Sequence, residues 1–124
     1  MKIEYLYQPD VVRCRPSDTL AHAAHLLVRA RIGALAVVDD DGTLVGILSE
    51  RDLARAMTEQ REPGSALASS YASRGVEVAR QHEDSWTVGR RMLDAGIRHL
   101  PVVSDGQLVG MVSMRDVLAV ETWA

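Results

Sequence analysis

The sequence predicts an α+β fold with layers of the α/β type, in which a single β-α-β-β-α unit is built twice. Three observations predict it. Residues 32 to 52 read IGALAVVDDDGTLVGILSERD and residues 97 to 116 read IRHLPVVSDGQLVGMVSMRD, so the chain repeats itself. Leu35, Val37 and Val38 recur as Leu100, Val102 and Val103. One residue is then lost from the turn, and Gly46, Ser49, Arg51 and Asp52 recur as Gly110, Ser113, Arg115 and Asp116. Within each copy the apolar spacing alternates between strand and helix periods. Finally, 124 residues allow one modest core, and two copies of roughly 60 residues would each be marginal alone. A fixed internal period marks a supersecondary unit that relies on its neighbour to cover its apolar face.

The elements follow in order. Residues 11 to 14 form a short β-prone piece, and Pro16-Ser17-Asp18 supplies turn and cap chemistry. From Thr19 to Arg31, Leu20, Ala23, Ala24, Leu27 and Ala30 make a helical stripe. Residues 34–39 and 44–48 are aliphatic runs joined by Asp40-Asp41-Gly42, a hairpin signal. A second helix runs from Glu50 to about Thr58. These assignments put a first motif over 1–58, a Pro- and Gly-bearing linker over 59–70 and a second motif over 71–124. In the second motif, Gly75-Val76-Glu77-Val78 opens, a helix covers Ser85 to Ala95, and strands cover 99–104 and 107–113 around Asp105-Gly106. The last helix, Met114 to Trp123, carries Val117, Leu118 and Val120 on an apolar face.

Composition bounds function. Asp and Glu number 17 against 14 Lys and Arg, a net charge of −3, with a pI near 5.7, which argues against a nucleic-acid surface. Hydrophobic residues make up 47% with 4% aromatic and no Phe, suited to a core of Leu, Val, Ile, Ala and Met. The opening MKIEYLYQPD lacks a signal peptide's apolar stretch, and no run approaches the ~18 residues of a membrane span. Cys14 is the single cysteine. It is expected buried and inert, and the chain cytoplasmic.

The repeated Gly-x-x-Ser-x-x-Asp element carries the chemistry. Gly46, Ser49 and Asp52 match Gly110, Ser113 and Asp116 where a strand ends and a helix begins. Ser followed by an acid three residues later is close to a capping box, and that reading stands by itself. Arg51 and Arg115 add a second reading. Each sits in the first helical turn, where a cation opposes the helix dipole. An anion there would reverse that sign, since helix N-terminal amides and a guanidinium make a phosphate seat, and a carboxylate can accept two hydrogen bonds from a ribose diol.

With its Ile-x-x-Leu-x-Val-Val runs and Gly-x-x-Ser-x-x-Asp elements, the chain resembles a tandem pair of cystathionine-β-synthase (CBS) motifs, a Bateman module, over essentially its whole length. The resemblance implies a pseudo-twofold pair packed through its sheets, with two clefts for an adenosyl ligand, and a regulatory module that often dimerises. It places ribose-binding acids at Asp52 and Asp116, hydroxyls near ribose and phosphate at Ser49 and Ser113, and phosphate-facing residues at Arg51 and Arg115. Arg98 and His99 also face phosphate on this basis, with Gly33 and Ala34 in their place in the first copy. The base is expected against Val12 in the Asp116 cleft and Glu77 in the Asp52 cleft. With Glu50 and Glu77 nearby, the Asp52 site is expected to be the weaker. The family's Met-Thr before each opening strand is replaced by Tyr7-Gln8 and Ala72-Ser73, and its Leu-Pro-Val proline by Ala36 in the first copy.

The leading expectation is therefore a sensor of AMP, ADP or ATP, with S-adenosylmethionine also admissible. It requires no cofactor, signals by population shift and forms a homodimer. The alternative is a ligand-independent module docking on a second copy, an enzyme or a transporter. No constellation supports catalysis: there is no Walker-type or Gly-x-Gly-x-x-Gly loop, and no Ser-His-Asp or Cys-His set. His22 and His25 read as solvent-facing rather than metal-binding, and Asp39-Asp40-Asp41 as a hairpin tip rather than a calcium loop.

Overall fold

The computed structural model describes residues 1–121, so Trp123, expected to extend the last helix, lies outside the described residues. The order is β1 (Arg13–Cys14), α1 (Leu20–Ala30), β2 (Ala34–Val38), β3 (Leu44–Ser49), α2 (Glu50–Glu59), α3 (Ala68–Tyr71), β4 (Ala79–Arg80), α4 (Ser85–Ala95), β5 (His99–Ser104), β6 (Gln107–Ser113) and α5 (Met114–Glu121). Single 3-10 turns stand at Ile3–Tyr5 and Pro63–Ser65.

Two three-stranded sheets form, β1-β2-β3 and β4-β5-β6, each with a parallel first pair and an antiparallel hairpin. Their registers repeat. Leu35 faces Leu48 and Val37 faces Gly46; Leu100 faces Val112 and Val102 faces Gly110. The ladder shifts at Val37/Val38 in one hairpin and at Val102/Val103 in the other. The residue missing from the second turn changes its chemistry: Asp105 and Gly106 both take positive φ, 50° and 79°, the signature of a two-residue type I′ turn. The longer first turn is tied by Thr43 N–H donating to Asp39 Oδ1 (3.0 Å) and Asp41 Oδ1 (3.1 Å).

Each long helix starts from a side-chain cap. Thr19 accepts from His22 N–H (3.2 Å), and Asp84 accepts from Trp86 N–H (2.9 Å). Asp18 turns instead to the Arg15 N–H (2.8 Å), as Glu83 does to the Arg80 N–H (2.8 Å). These caps belong to one repeated turn. The second copy's opening strand lies at Ala79–Arg80, just beyond the Gly75–Val78 stretch expected for it. Gly75 adopts φ 63° and so turns the chain rather than extending it.

By its contacts the chain divides into two compact units. One is Val12–Val76; the other joins Met1–Val11 to the chain from Glu77 onward. The segment expected as a linker over 59–70 holds the Pro63–Ser65 turn and the start of α3. It packs within the first unit: Leu20 N–H donates to the Ala66 carbonyl (2.8 Å) and Ala68 N–H to the Asp18 carbonyl (2.8 Å). Residues 1–11 pack in the second unit. Ile3, fully buried, joins Val88, Met92, Leu100, Val102 and Val112 in that core, a burial contributing about 1.5–3 kcal/mol. The first unit's core gathers Cys14, Leu27, Leu35, Val37, Leu48, Ala56 and Tyr71. Cys14 is 3% exposed, and burial followed by the charge of Asp18 raises its thiol pKa to about 11, an inert state.

The same backbone device closes both units. Ile47 and Ser73 exchange N–H···O bonds of 3.0 and 2.9 Å; Gln8 and Met111 exchange bonds of 2.8 and 3.0 Å. The glycine before each bridged strand residue admits the incoming segment. A Cβ at Gly46 would collide with the Ser73 carbonyl oxygen, and one at Gly110 would strike the Tyr7 ring and lie 2.6 Å from the Gln8 carbonyl oxygen. Gly46→Ala and Gly110→Ala are each expected to destabilise the protein by about 1–3 kcal/mol, read as a lower urea midpoint with unchanged slope. Gly64→Ala, whose Cβ would meet only Ala21 at 3.4 Å, is expected to leave the midpoint nearly unchanged.

Candidate functional site

The two strand-to-helix junctions bring most of the expected residues together. His99 is paired with Ser113 in the register, as Ala34 is with Ser49. The first N–H of α5, on Met114, donates to the Arg98 carbonyl (2.8 Å), and that of α2, on Glu50, to the Gly33 carbonyl (2.9 Å). Arg98, His99, Ser113, Arg115 and Asp116 therefore cluster at the start of α5. Gly33, Ala34, Ser49, Arg51 and Asp52 cluster at the start of α2. Val12 is half-buried just before β1. Glu77 is exposed, with a carboxylate oxygen 4.0 Å from Arg91 Nε.

Both aspartates cap their own helix. Ser49 N–H donates to Asp52 Oδ2 (2.8 Å) and Asp52 N–H to Ser49 Oγ (3.3 Å). Ser113 N–H donates to Asp116 Oδ2 (2.9 Å) and Asp116 N–H to Ser113 Oγ (3.0 Å). Such caps contribute about 0.5–2 kcal/mol each. Capping uses one carboxylate oxygen and leaves the other, so it does not compete with accepting a ligand hydroxyl.

The remaining oxygens differ between the copies. Asp116 is half-buried and its Oδ1 meets no donor among the described residues. Asp52 is 9% exposed, and its Oδ1 lies 3.5 Å from Arg55 Nη2. The Ser49 hydroxyl also donates to Asp52 Oδ2 (3.0 Å). Glu50 leans over Gly33, its carboxylate 3.7–3.8 Å from where a Cβ would stand, which puts negative charge beside the α2 start. Met114 occupies that position at the α5 start, where Arg98 and Arg115 are both exposed. Arg55 and Tyr71, which shape the first junction, are absent from the expected site. Arg55 lies outside the repeated positions, so the repeat offers no signal for it.

The CBS domain model matches residues 3–59 and 68–121. The chain belongs to the CBS domain family. An uncharacterized protein of Methanopyrus kandleri is 31% identical over 92% of this chain, which spans 59% of that relative; the chain spans 40% of a second, from Methanocaldococcus jannaschii. Inosine-5'-monophosphate dehydrogenase of Mycobacterium tuberculosis is 33% identical over 90% of the chain, but the match covers only 21% of that enzyme. Among solved structures, a CBS-domain containing protein of Agrobacterium tumefaciens is 29% identical with a TM-score of 0.87, over 98% of this chain and 99% of that one. CBSX2, in complex with AMP, is 25% identical with a TM-score of 0.89, over 98% and 96%. The CBS domain pair of MJ0100, in complex with 5'-methylthioadenosine and S-adenosyl-L-methionine, shares the fold at 24% identity and a TM-score of 0.87, over 99% and 97%.

In this CBS pair the α5 start also holds a half-buried imidazole, that of His99. Burial lowers the imidazole pKa below its ordinary 6.5 and Arg98 adds to the drop, while Asp116 opposes it. The ring is neutral at pH 7, so any cationic charge for an anion comes from Arg98 and Arg115. The unfolded ring takes up its proton near pH 6.5 and the folded ring only at lower pH. The associated stability is therefore present above 6.5 and lost as pH falls. Denaturation midpoints at pH 7.5 and 5.5 are expected to differ less in His99→Gln than in the wild type.

Proposed function

We propose that this CBS pair is a regulatory module that binds an adenine nucleotide (AMP, ADP or ATP) at the start of α5. The observation that carries the reading is the unengaged Oδ1 of Asp116 at a helix start that also carries Arg98 and Arg115, in a fold whose counterpart in CBSX2 was solved with AMP. Asp116 accepts from the ribose hydroxyls, Ser113 lies between sugar and phosphate, and Arg98, Arg115 and neutral His99 face the phosphate. Asp52, Ser49 and Arg51 form the weaker counterpart. No proton or bond transfer is asked of any residue, so the role is binding rather than catalysis. Ligand binding then acts by favouring one arrangement of the protein, and only to the extent that the ligand prefers that arrangement. S-adenosylmethionine shares the ribose and lacks the phosphate, so a site depending on Arg98 and Arg115 ranks it below AMP. We further propose a cytoplasmic homodimer that acts on a target enzyme or transporter; no described helix is long and apolar enough to cross a membrane.

A ligand-independent docking role draws on a different observation. Trp86 and Leu93 on α4, 61% and 63% exposed, and Leu118 on α5, 50% exposed, leave apolar surface on the second unit.

Calorimetric titration separates the readings. The wild type is expected to bind AMP, and Asp116→Asn, which still accepts the Ser113 N–H, to bind at least about tenfold more weakly, since a charge-assisted bond contributes roughly 1.5–3 kcal/mol. Asp52→Asn is expected to change little. Absence of binding at millimolar AMP, ADP and ATP would defeat the nucleotide reading and favour docking.

A further inference from the structure

We infer that Arg55 competes with a ribose for the Asp52 carboxylate at the α2 start, which makes Asp116 the stronger nucleotide position of each chain. The inference rests on the nucleotide reading of Asp116 and adds a residue that determines which copy is the stronger.

Arg55 is held on several sides at once. Its Nη2 lies 3.5 Å from Asp52 Oδ1 and donates to the Tyr71 carbonyl (3.3 Å). Its guanidinium carbon sits 4.9 Å from the centre of the Tyr71 ring, and its Nη1 is 3.6 Å from Glu59. Tyr71 is 5% exposed, and its hydroxyl accepts from Gln60 Nε2 (2.9 Å), so the platform beneath the guanidinium is itself anchored. An isolated pair at this half-exposed position would contribute little. The additional bond and the ring contact keep the guanidinium over the carboxylate. Asp52 then has both oxygens engaged, Oδ2 by Ser49 and Oδ1 by Arg55. A ribose diol must displace a tethered cation to reach it.

The second copy lacks the whole device. Three residues beyond Asp116, where Arg55 follows Asp52, stands Ala119. Tyr71 precedes the bridging Ser73 by two residues; the residue two before Gln8, which bridges β6 in the same way, is Leu6. Alanine and leucine supply neither donor nor ring. The two starts differ in what covers the carboxylate as well as in the arginines around them.

Amide-resolved NMR titration with AMP tests this, because Asp52 and Asp116 report separately. In the wild type, the Asp116 amide is expected to shift at lower AMP than the Asp52 amide. Arg55→Met, which keeps the apolar stem, is expected to lower the AMP concentration at half-shift for Asp52 by about threefold to tenfold while leaving Asp116 unchanged. Ala119→Arg, at an exposed position, is expected to raise the half-shift concentration for Asp116. Equal midpoints at the two amides in the wild type overturn the inference alone, as does a weaker Asp52 response in Arg55→Met, which would make Arg55 a phosphate partner. Silence at both amides in every protein overturns the nucleotide reading and this inference with it.

Discussion

Everything in this fold hangs on two glycines that let one stretch of backbone lie against another. At Gly46 and Gly110 the missing side chain makes room for a segment from outside the hairpin, which then pairs with the next strand residue. Without that approach the hairpins would keep an unsatisfied edge, and Ile3 and Tyr71 would lose their places in the two cores. An unpaired strand edge is costly. The closure also explains why each unit holds a short arm from beyond its own hairpin: Ala68–Tyr71 for one, Ile3–Tyr5 for the other.

The hairpins deliver a serine and an aspartate to each helix start, where structural and chemical roles share the same atoms. One carboxylate oxygen satisfies a backbone amide and thereby holds the side chain in a single orientation. The other oxygen is aimed by that constraint without any added ordering cost. A carboxylate already immobilised in this way loses little freedom when it meets a partner, which is the sense in which a cap pre-organises a binding group. Whether that oxygen is open to a ligand depends on its neighbours: arginines at one start, an acid and a tethered guanidinium at the other.

Much of this was legible in the sequence because the repeat is strong. The hairpins, the four long helices and the grouping of Ser113, Arg115 and Asp116 follow from aliphatic runs, turn residues and the Ser-x-x-Asp spacing, while the places of Arg98 and His99 came from the resemblance to the CBS family. The contacts of residues 1–11 with the chain from Glu77 onward carry no signal in the sequence. These residues contain one 3-10 turn and no periodic stripe, and their attachment depends on backbone bonds that carry no residue signature. The same limit hid residues 59–70, whose small side chains read as linker while their backbone is committed to α1 and its approach. Arg55 was hidden for the opposite reason. Reading the chain as two copies draws attention to what they share, and Arg55 matters because its counterpart is alanine.

The membership of residues 1–11 in the same unit as the chain from Glu77 onward has a kinetic consequence. The Val12–Val76 unit is continuous in the chain and can assemble from contacts of modest separation. The other unit must wait for β6, because its Gln8–Met111 bridge joins residues about a hundred positions apart. Closing so long a loop adds only slightly to the thermodynamic cost, since that cost grows with the logarithm of length, but distant pairings slow the search. Ile3 and Leu6 gain their apolar neighbours only with Ala79 and the residues after it, so this unit is expected to order more slowly than the continuous one.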